Sequence, residues 1–220
     1  MGRPLRIIQT EYPYHIMTQT NNRNFHLKEL PGKKIIKIFV SVLNEAIRKY
    51  HLKVFHVVLM DNHYHLILKL TEPNLDKAFQ YINSQLARKI NKLLGRCGHL
   101  WKDRYRSLII SSDEYYDSCV RYIYQNPVRA GICKHPMEYD RSTLGFYAFG
   151  KKIDVEVSED DLIVLRLGKD RNRIRRYFLT LFTQIAGLPE IGSRELRKIC
   201  FGSPGFEEYI RSCFSLPRAG

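Results

Sequence analysis

The chain reads as an α+β protein, an antiparallel sheet with helices packed on it and a helical extension behind it. Three observations predict this. Short runs of apolar residues alternate at period two, and longer runs recur at spacings of three and four. The two kinds succeed one another in the order β-α-β-β-α-β-α. Beyond about residue 150 the pattern gives way to an acidic run and then a strongly basic one, which divides the chain into residues 1–150 and a basic helical extension, 151–220.

The elements follow in order. In Tyr14 to Thr20, the residues Tyr14, Ile16 and Thr18 alternate with more polar neighbours, as in a half-buried strand. Asn21 to Asn24 have turn chemistry. After Gly32 a helix carries Ile35, Ile36, Phe39, Val40, Leu43 and Ile47 on one face. Val54 to Met60 and His63 to Leu70 are two β-rich runs separated by Asp61-Asn62, the spacing of an antiparallel hairpin. A second helix follows Pro73 with Asn74 as its cap, carries Leu75, Phe79, Ile82, Leu86, Ile90 and Leu93 as its stripe, and stops near Gly95. Tyr105 to Ile110 form a further strand. Ser111-Ser112-Asp113-Glu114 has the pattern of a capping box, and the helix it opens runs to Asn126, because Pro127 disfavours helical geometry in the residue before it. In the extension, Ser158-Glu159-Asp160-Asp161 precedes the basic run from Lys169 to Arg176, and Pro189, Gly192, Gly202, Pro204 and Gly205 break its helices.

Composition bounds the function. With 36 Lys and Arg against 22 Asp and Glu, the 220-residue chain carries +14 and expects a polyanionic partner, nucleic acid being the commonest. No apolar run spans a bilayer and no basic amphipathic terminus is present, so membrane is not the expected partner. Met1 is followed by Gly2-Arg3-Pro4 without the apolar stretch of a secretory signal, and a cytoplasmic location is expected. The cysteines Cys97, Cys119, Cys133, Cys200 and Cys213 are odd in number and widely spaced, which reads as reduced, mostly buried thiols. Cys97 and His99 form one Cys-x-His pair, without a second to complete a tetrahedral site.

Three groups of residues could carry chemistry. His63 and His65, at i and i+2 of a strand, point the same way and can hold one divalent cation, although such spacing also arises by chance. Tyr122 and Asn126 stack on one helix face about 6 Å apart, although a helical tyrosine usually packs in a core. The basic stretch Arg88, Lys89, Lys92, Arg96, Trp101, Lys102, Arg104 and Arg106, with His99 and Tyr105 among it, offers phosphate contacts and ring faces for bases. Its plainer reading is a solvated helix face with Trp101 plugging the core, and the net charge favours binding.

Taken in order, these residues resemble the HUH-type single-tyrosine transposases, especially the REP-associated tyrosine transposases. The resemblance rests on Met60-Asp61-Asn62-His63-Tyr64-His65-Leu66-Ile67-Leu68, on Gly98-His99-Leu100-Trp101-Lys102-Asp103-Arg104-Tyr105-Arg106-Ser107, and on Tyr122-Ile123-Tyr124-Gln125-Asn126-Pro127-Val128-Arg129-Ala130-Gly131. It covers roughly residues 5 to 150. It implies a ferredoxin-like sheet of the HUH endonuclease type, with His63, His65 and Asn126 as ligands of Mg²⁺ or Mn²⁺ and Tyr122 as nucleophile. It further implies a single-stranded or hairpin DNA substrate, a 5′-phosphotyrosine intermediate, and DNA contacts that include Arg129. Tyr124 is the weaker candidate, since two positions turn it about 200° away from the face of Asn126. Tyr64 stands where the family usually has an apolar residue, and its ring can still be buried. The resemblance admits both a homodimer and a monomer. Two rival readings stay open: a catalytically idle nucleic-acid-binding regulator derived from a transposase, and a phosphodiesterase using a metal-activated water.

Overall fold

A computed structural model describes residues 6–24, 26–111, 114–182, 191–192 and 195–214. Strands β1 (Tyr14–Gln19), β2 (Leu52–Leu59), β3 (His63–Leu70), β4 (Arg106–Ile110) and β5 (Cys200–Phe201) form one sheet in the order β2-β3-β1-β4-β5. The first four pair antiparallel in the ferredoxin-like order. The short β5 joins β4 in parallel, so the sheet is mixed where an antiparallel one was expected, and the tail expected to be helical also supplies a strand.

Helices α1 (Gly32–Tyr50) and α2 (Leu75–Leu94) cover one face of the sheet. Their stripes bury Ile35, Phe39, Val42, Leu43, Ala46 and Ile47 on α1 and Leu75, Ala78, Phe79, Ile82, Leu86 and Ile90 on α2. A fully buried aliphatic or aromatic side chain contributes about 1.5–3 kcal/mol, so tertiary burial, more than helix propensity, holds these two helices. Leu93 lies outside that stripe and is exposed. Asn74 occupies the cap position of α2 without a side-chain capping bond, its amide donating instead to the Tyr50 carbonyl.

The opposite face is covered by α3 (Glu114–Arg129), with α4 (Leu144–Phe149), α5 (Asp161–Leu167) and α6 (Arg171–Thr180) alongside. Because helices lie on both faces, β1 is covered on both, and the half-buried strand that its alternation suggests is a central one. Helix α3 continues through Pro127 to Arg129, past the stop expected at Asn126. Pro127 removes one hydrogen bond in the last turn, but its ring is buried, and the chain leaves the helix through Gly131 at φ 68°. The capping box expected before this helix includes residues 112 and 113, which lie outside the described residues.

A bulge in β2 shifts its register on β3 between Val54 and His56. Val54 and Val57 face α1 and α2, whereas Phe55 and His56 both lie on the α3 side. His56 anchors a buried polar network there. Its Nδ1 meets the Tyr124 hydroxyl at 2.8 Å and its Nε2 meets Asp160 Oδ2 at 2.9 Å. Tyr116 donates to the same carboxylate. The other oxygen of Asp160 accepts from the backbone of Leu162 and Ile163 and so caps α5. The chain beyond residue 150 is thereby fastened to the core. Within it, Pro204 and Gly205, expected as breaks, open α7 (Pro204–Cys213) behind the capping Ser203, and Pro189 lies outside the described residues.

All five cysteines are free, and only Cys119 and Cys200 are buried, fewer than the sequence suggests. Among the described residues no helix is long and apolar enough to cross a membrane.

Candidate active site

The site forms where β3 and β1 face α3. Strand parity puts His63, His65 and Ile67 on the α3 side, while Tyr64, Leu66 and Leu68 join the other core. The hairpin before His63 closes through the Met60 amide on the His63 carbonyl, 2.8 Å. Neither Asp61 nor Asn62 adopts positive φ, so this is not the turn type that follows strand twist unaided. Outside contacts fasten it: Arg141 Nη1 donates to Asp61 Oδ1 at 2.7 Å, and the Thr20 amide donates to the Asn62 carbonyl at 2.8 Å.

The two imidazoles are pinned by different neighbours. His63 Nδ1 donates to Asn62 Oδ1 at 2.6 Å; an amide oxygen only accepts, so the proton sits on Nδ1 and Nε2 carries the lone pair. His65 is fully buried, and its Nδ1 lies 2.8 Å from Nε2 of His15 on β1. His65 Nε2 is buried without a hydrogen-bond partner. Burial lowers the pKa of His63 to about 4, lowers His15 to about 3 with help from the nearby His63, and lowers that of His65 well below the ordinary value.

Helix α3 brings Tyr122 and Asn126 to the same place. The Tyr122 ring lies edge-on, its centroid 5.8 Å from His65 and 6.0 Å from His15. The Asn126 amide interacts with both His63 and His65 and with the Tyr122 phenol, while its Nδ2 donates to the Tyr122 carbonyl at 2.9 Å. The Arg129 guanidinium sits 5.2 Å from the Tyr122 ring centroid. Burial raises the Tyr122 pKa, opposed by the Asn126 hydrogen bond and the Arg129 charge. Tyr124 points elsewhere, its hydroxyl held between His56 and Thr143 in the core. The Tyr64 ring is fully buried, its hydroxyl donating to Asn83 Oδ1 at 2.6 Å.

The arrangement brings two imidazoles, an amide and a phenol together. The orphaned Nε2 of His65 and the lone pair on His63 Nε2 fit a cation, and the donor chemistry alone does not select which. Among the described residues no group of three or more His, Cys, Asp or Glu side chains is arranged for a metal, and that includes Cys97 with His99.

The basic residues fall into three places. Arg88, Lys89 and Lys92 are exposed on α2, across the sheet from Tyr122. Arg96 is half-buried just beyond that helix. Lys102 and Arg104 are exposed on the loop that crosses the end of β1, where the Lys102 amide donates to the Gln19 carbonyl and Gln19 pairs with His63. Arg106 and His65 both pair with Met17, which places Arg106 on the site's own face. Trp101 is half-buried, its indole N–H on the Asn83 carbonyl at 2.8 Å and its ring edge-on to Tyr64, which is a packing role.

Sequence patterns missed two contributors. His15 lies on a strand read only for its apolar partners, and no local spacing links it to His65. Asn62 reads as a turn residue in the sequence, although its place beside His63 is a usable signal.

The family described as "Transposase IS200 like" matches residues 8–126. A solved REP-associated tyrosine transposase bound to a REP hairpin is similar in fold, with a TM-score of 0.58 and 20% identity over 74% of this chain and 96% of that one. A putative transposase from Deinococcus radiodurans R1 aligns with a TM-score of 0.37 and 17% identity over 60% of this chain and 91% of that one. No curated protein matches.

Proposed function

The chain belongs to the IS200-like transposase family, and from that premise we propose that it nicks and rejoins single-stranded, hairpin-forming DNA through Tyr122. One observation carries this reading: Asn126 reaches His63, His65 and the Tyr122 phenol at once, so a nucleophile and three donor groups share one site. The hairpin bound by the solved relative of similar fold supports the substrate class.

His63, His65 and Asn126 are the proposed holders of Mg²⁺ or Mn²⁺. Such a cation would supply Lewis-acid chemistry at the scissile phosphate and would offset the charge that develops on the displaced oxygen. Tyr122 Oη attacks phosphorus, the bond from phosphorus to the 3′ oxygen breaks, the phenolic proton passes to solvent, and the departing oxygen ends as a 3′-hydroxyl. The enzyme then holds a 5′-phosphotyrosine, whose retained ester energy lets another 3′-hydroxyl reverse the step and join strands. A phenol whose pKa is raised by burial is a poor nucleophile, so the Asn126 hydrogen bond and the Arg129 charge, both of which favour the phenolate, have a kinetic role. Arg106 and Arg129 beside the site, with Lys102 and Arg104 at its rim, are proposed to hold the reacting strand, and Arg88, Lys89, Lys92 and Arg96 the more distant DNA. Trp101 is the weakest of the proposed contacts.

The test uses a labelled single-stranded hairpin with Mg²⁺ or Mn²⁺. The parent protein is expected to form a covalent adduct stable to denaturing gels, and Tyr122→Phe to form none. Efficient cleavage by the phenylalanine variant would remove Tyr122 from the mechanism and favour attack by water.

A further inference from the structure

We infer that His15 is a positioning residue: by accepting a hydrogen bond from His65 Nδ1 it fixes the tautomer in which His65 Nε2 presents a lone pair to the cation. The inference rests on the metal-site reading above and adds a residue from a strand that contributes no ligand.

The geometry is specific. His15 Nε2 and His65 Nδ1 are 2.8 Å apart, with ring planes 23° from parallel and centroids at 5.0 Å. Such values describe two rings joined edge to edge, nitrogen to nitrogen, near a common plane. Register explains how they meet. His65 pairs directly with Met17, so His15 is its diagonal neighbour on the same face of the sheet, within reach of a long side chain. Both rings are buried, His15 being 2% exposed, so water does not compete for the bond.

A neutral imidazole has one donor and one acceptor nitrogen. Were His65 to accept at Nδ1, its proton would lie on Nε2, which makes no direct hydrogen bond in the structure although the Asn126 amide interacts with the ring, and a buried N–H left without a bond is costly. With the proton on Nδ1, the bond to His15 is satisfied and the orphaned nitrogen becomes a donor to a cation. Asn62 does the same for His63 through its own Nδ1. The two histidines are therefore set to the same tautomer by different neighbours. Outer partners of this kind typically govern metal affinity by about 10–100-fold.

The experiment measures Mn²⁺ affinity by electron paramagnetic resonance in the absence of DNA, and the His65 tautomer by ¹⁵N NMR of the metal-free protein. His15→Leu is expected to bind Mn²⁺ at least tenfold more weakly than the parent and to lose the Nδ1–H form of His65. His15→Gln, whose carboxamide oxygen reaches the position of Nε2, is expected to recover most of the affinity. His15→Asn, equally polar but shorter, is not. The Gln and Asn pair keeps the test valid if the leucine variant folds poorly. Parental affinity in folded His15→Leu or His15→Asn, or a parent protein with the proton on His65 Nε2, overturns the inference. His65→Ala separates the two levels: if it binds Mn²⁺ like the parent, the site reading itself fails, whereas loss of binding there with no effect at His15 defeats the positioning role alone.

Discussion

At the residue scale the site is defined by burial. His63 and His15 are held at about 4 and about 3, below the ordinary imidazole value of 6.5, mainly because burial penalises the charged ring. The sign of the consequence follows from proton counting. Below pH 6.5 the unfolded chain binds more protons than the folded one, so stability is complete above that pH and is lost as pH falls toward 4 and then 3. The metal-free protein is expected to show a thermal midpoint that drops on acidification from pH 7 to 4.5, with a shallower drop in His63→Ala. Parallel curves for the two would show that His63 is not buried as a neutral ring. The residue scale also separates the tyrosines: Tyr122 and Tyr124 differ by two positions, yet one meets Asn126 and His65 while the other is locked to His56 and Thr143.

At the element scale, α3 and β3 each present two functional groups by their own period, and the sheet register adds a third element, β1. The placement of α2 is a less expected result, because its basic residues lie across the sheet from the nucleophile. DNA that touches both must wrap an edge of the molecule or bring a stem to one side and a strand to the other. Replacing Arg88, Lys89 and Lys92 together with Gln is expected to weaken hairpin affinity and to flatten the slope of log K against log salt by about 2, at about 0.7 per lost phosphate contact. Binding isotherms from 50 to 200 mM salt check this, and an unchanged slope would take α2 out of the interface. Adduct formation with a short strand lacking the stem should change little, since the residues beside Tyr122 are untouched.

At the scale of the whole molecule, the tail beyond residue 150 is joined to the core along its length, by β5 on β4, by Asp160 on His56, by the Ser158 amide on the Val54 carbonyl and by Arg166 and Tyr177 on Asp117. Removing Asp160 would leave His56 and Tyr116 buried without their shared partner and would uncap α5. Asp160→Ala is therefore expected to lower stability by about 3 kcal/mol, the cost of breaking a buried pair, read as a fall in the urea midpoint at unchanged m-value. A variant as stable as the parent would show that the Asp160 contact does not brace the sheet. For the same reason, a cut at residue 150 perturbs the core as well as the basic helix α6, and charge-neutral substitutions at Arg171, Arg175 and Arg176 are the cleaner probe of that helix.

Whatever depends on local period is legible in the chain alone. Alternation on β3 put His63 and His65 on one side, a spacing of four put Tyr122 over Asn126, and apolar stripes gave α1 and α2 their buried faces. Which of these faces meet depends on the packed fold. The bulge at Phe55, the diagonal pairing of His15 with His65, the passage of α3 through Pro127 and the reach of Asp160 to His56 all join segments far apart in the chain or settle a local choice by burial. A period states which way a side chain points relative to its neighbours in sequence. Register and packing state what stands opposite it, and a slip of one residue in β1 would carry His15 to the other face of the sheet.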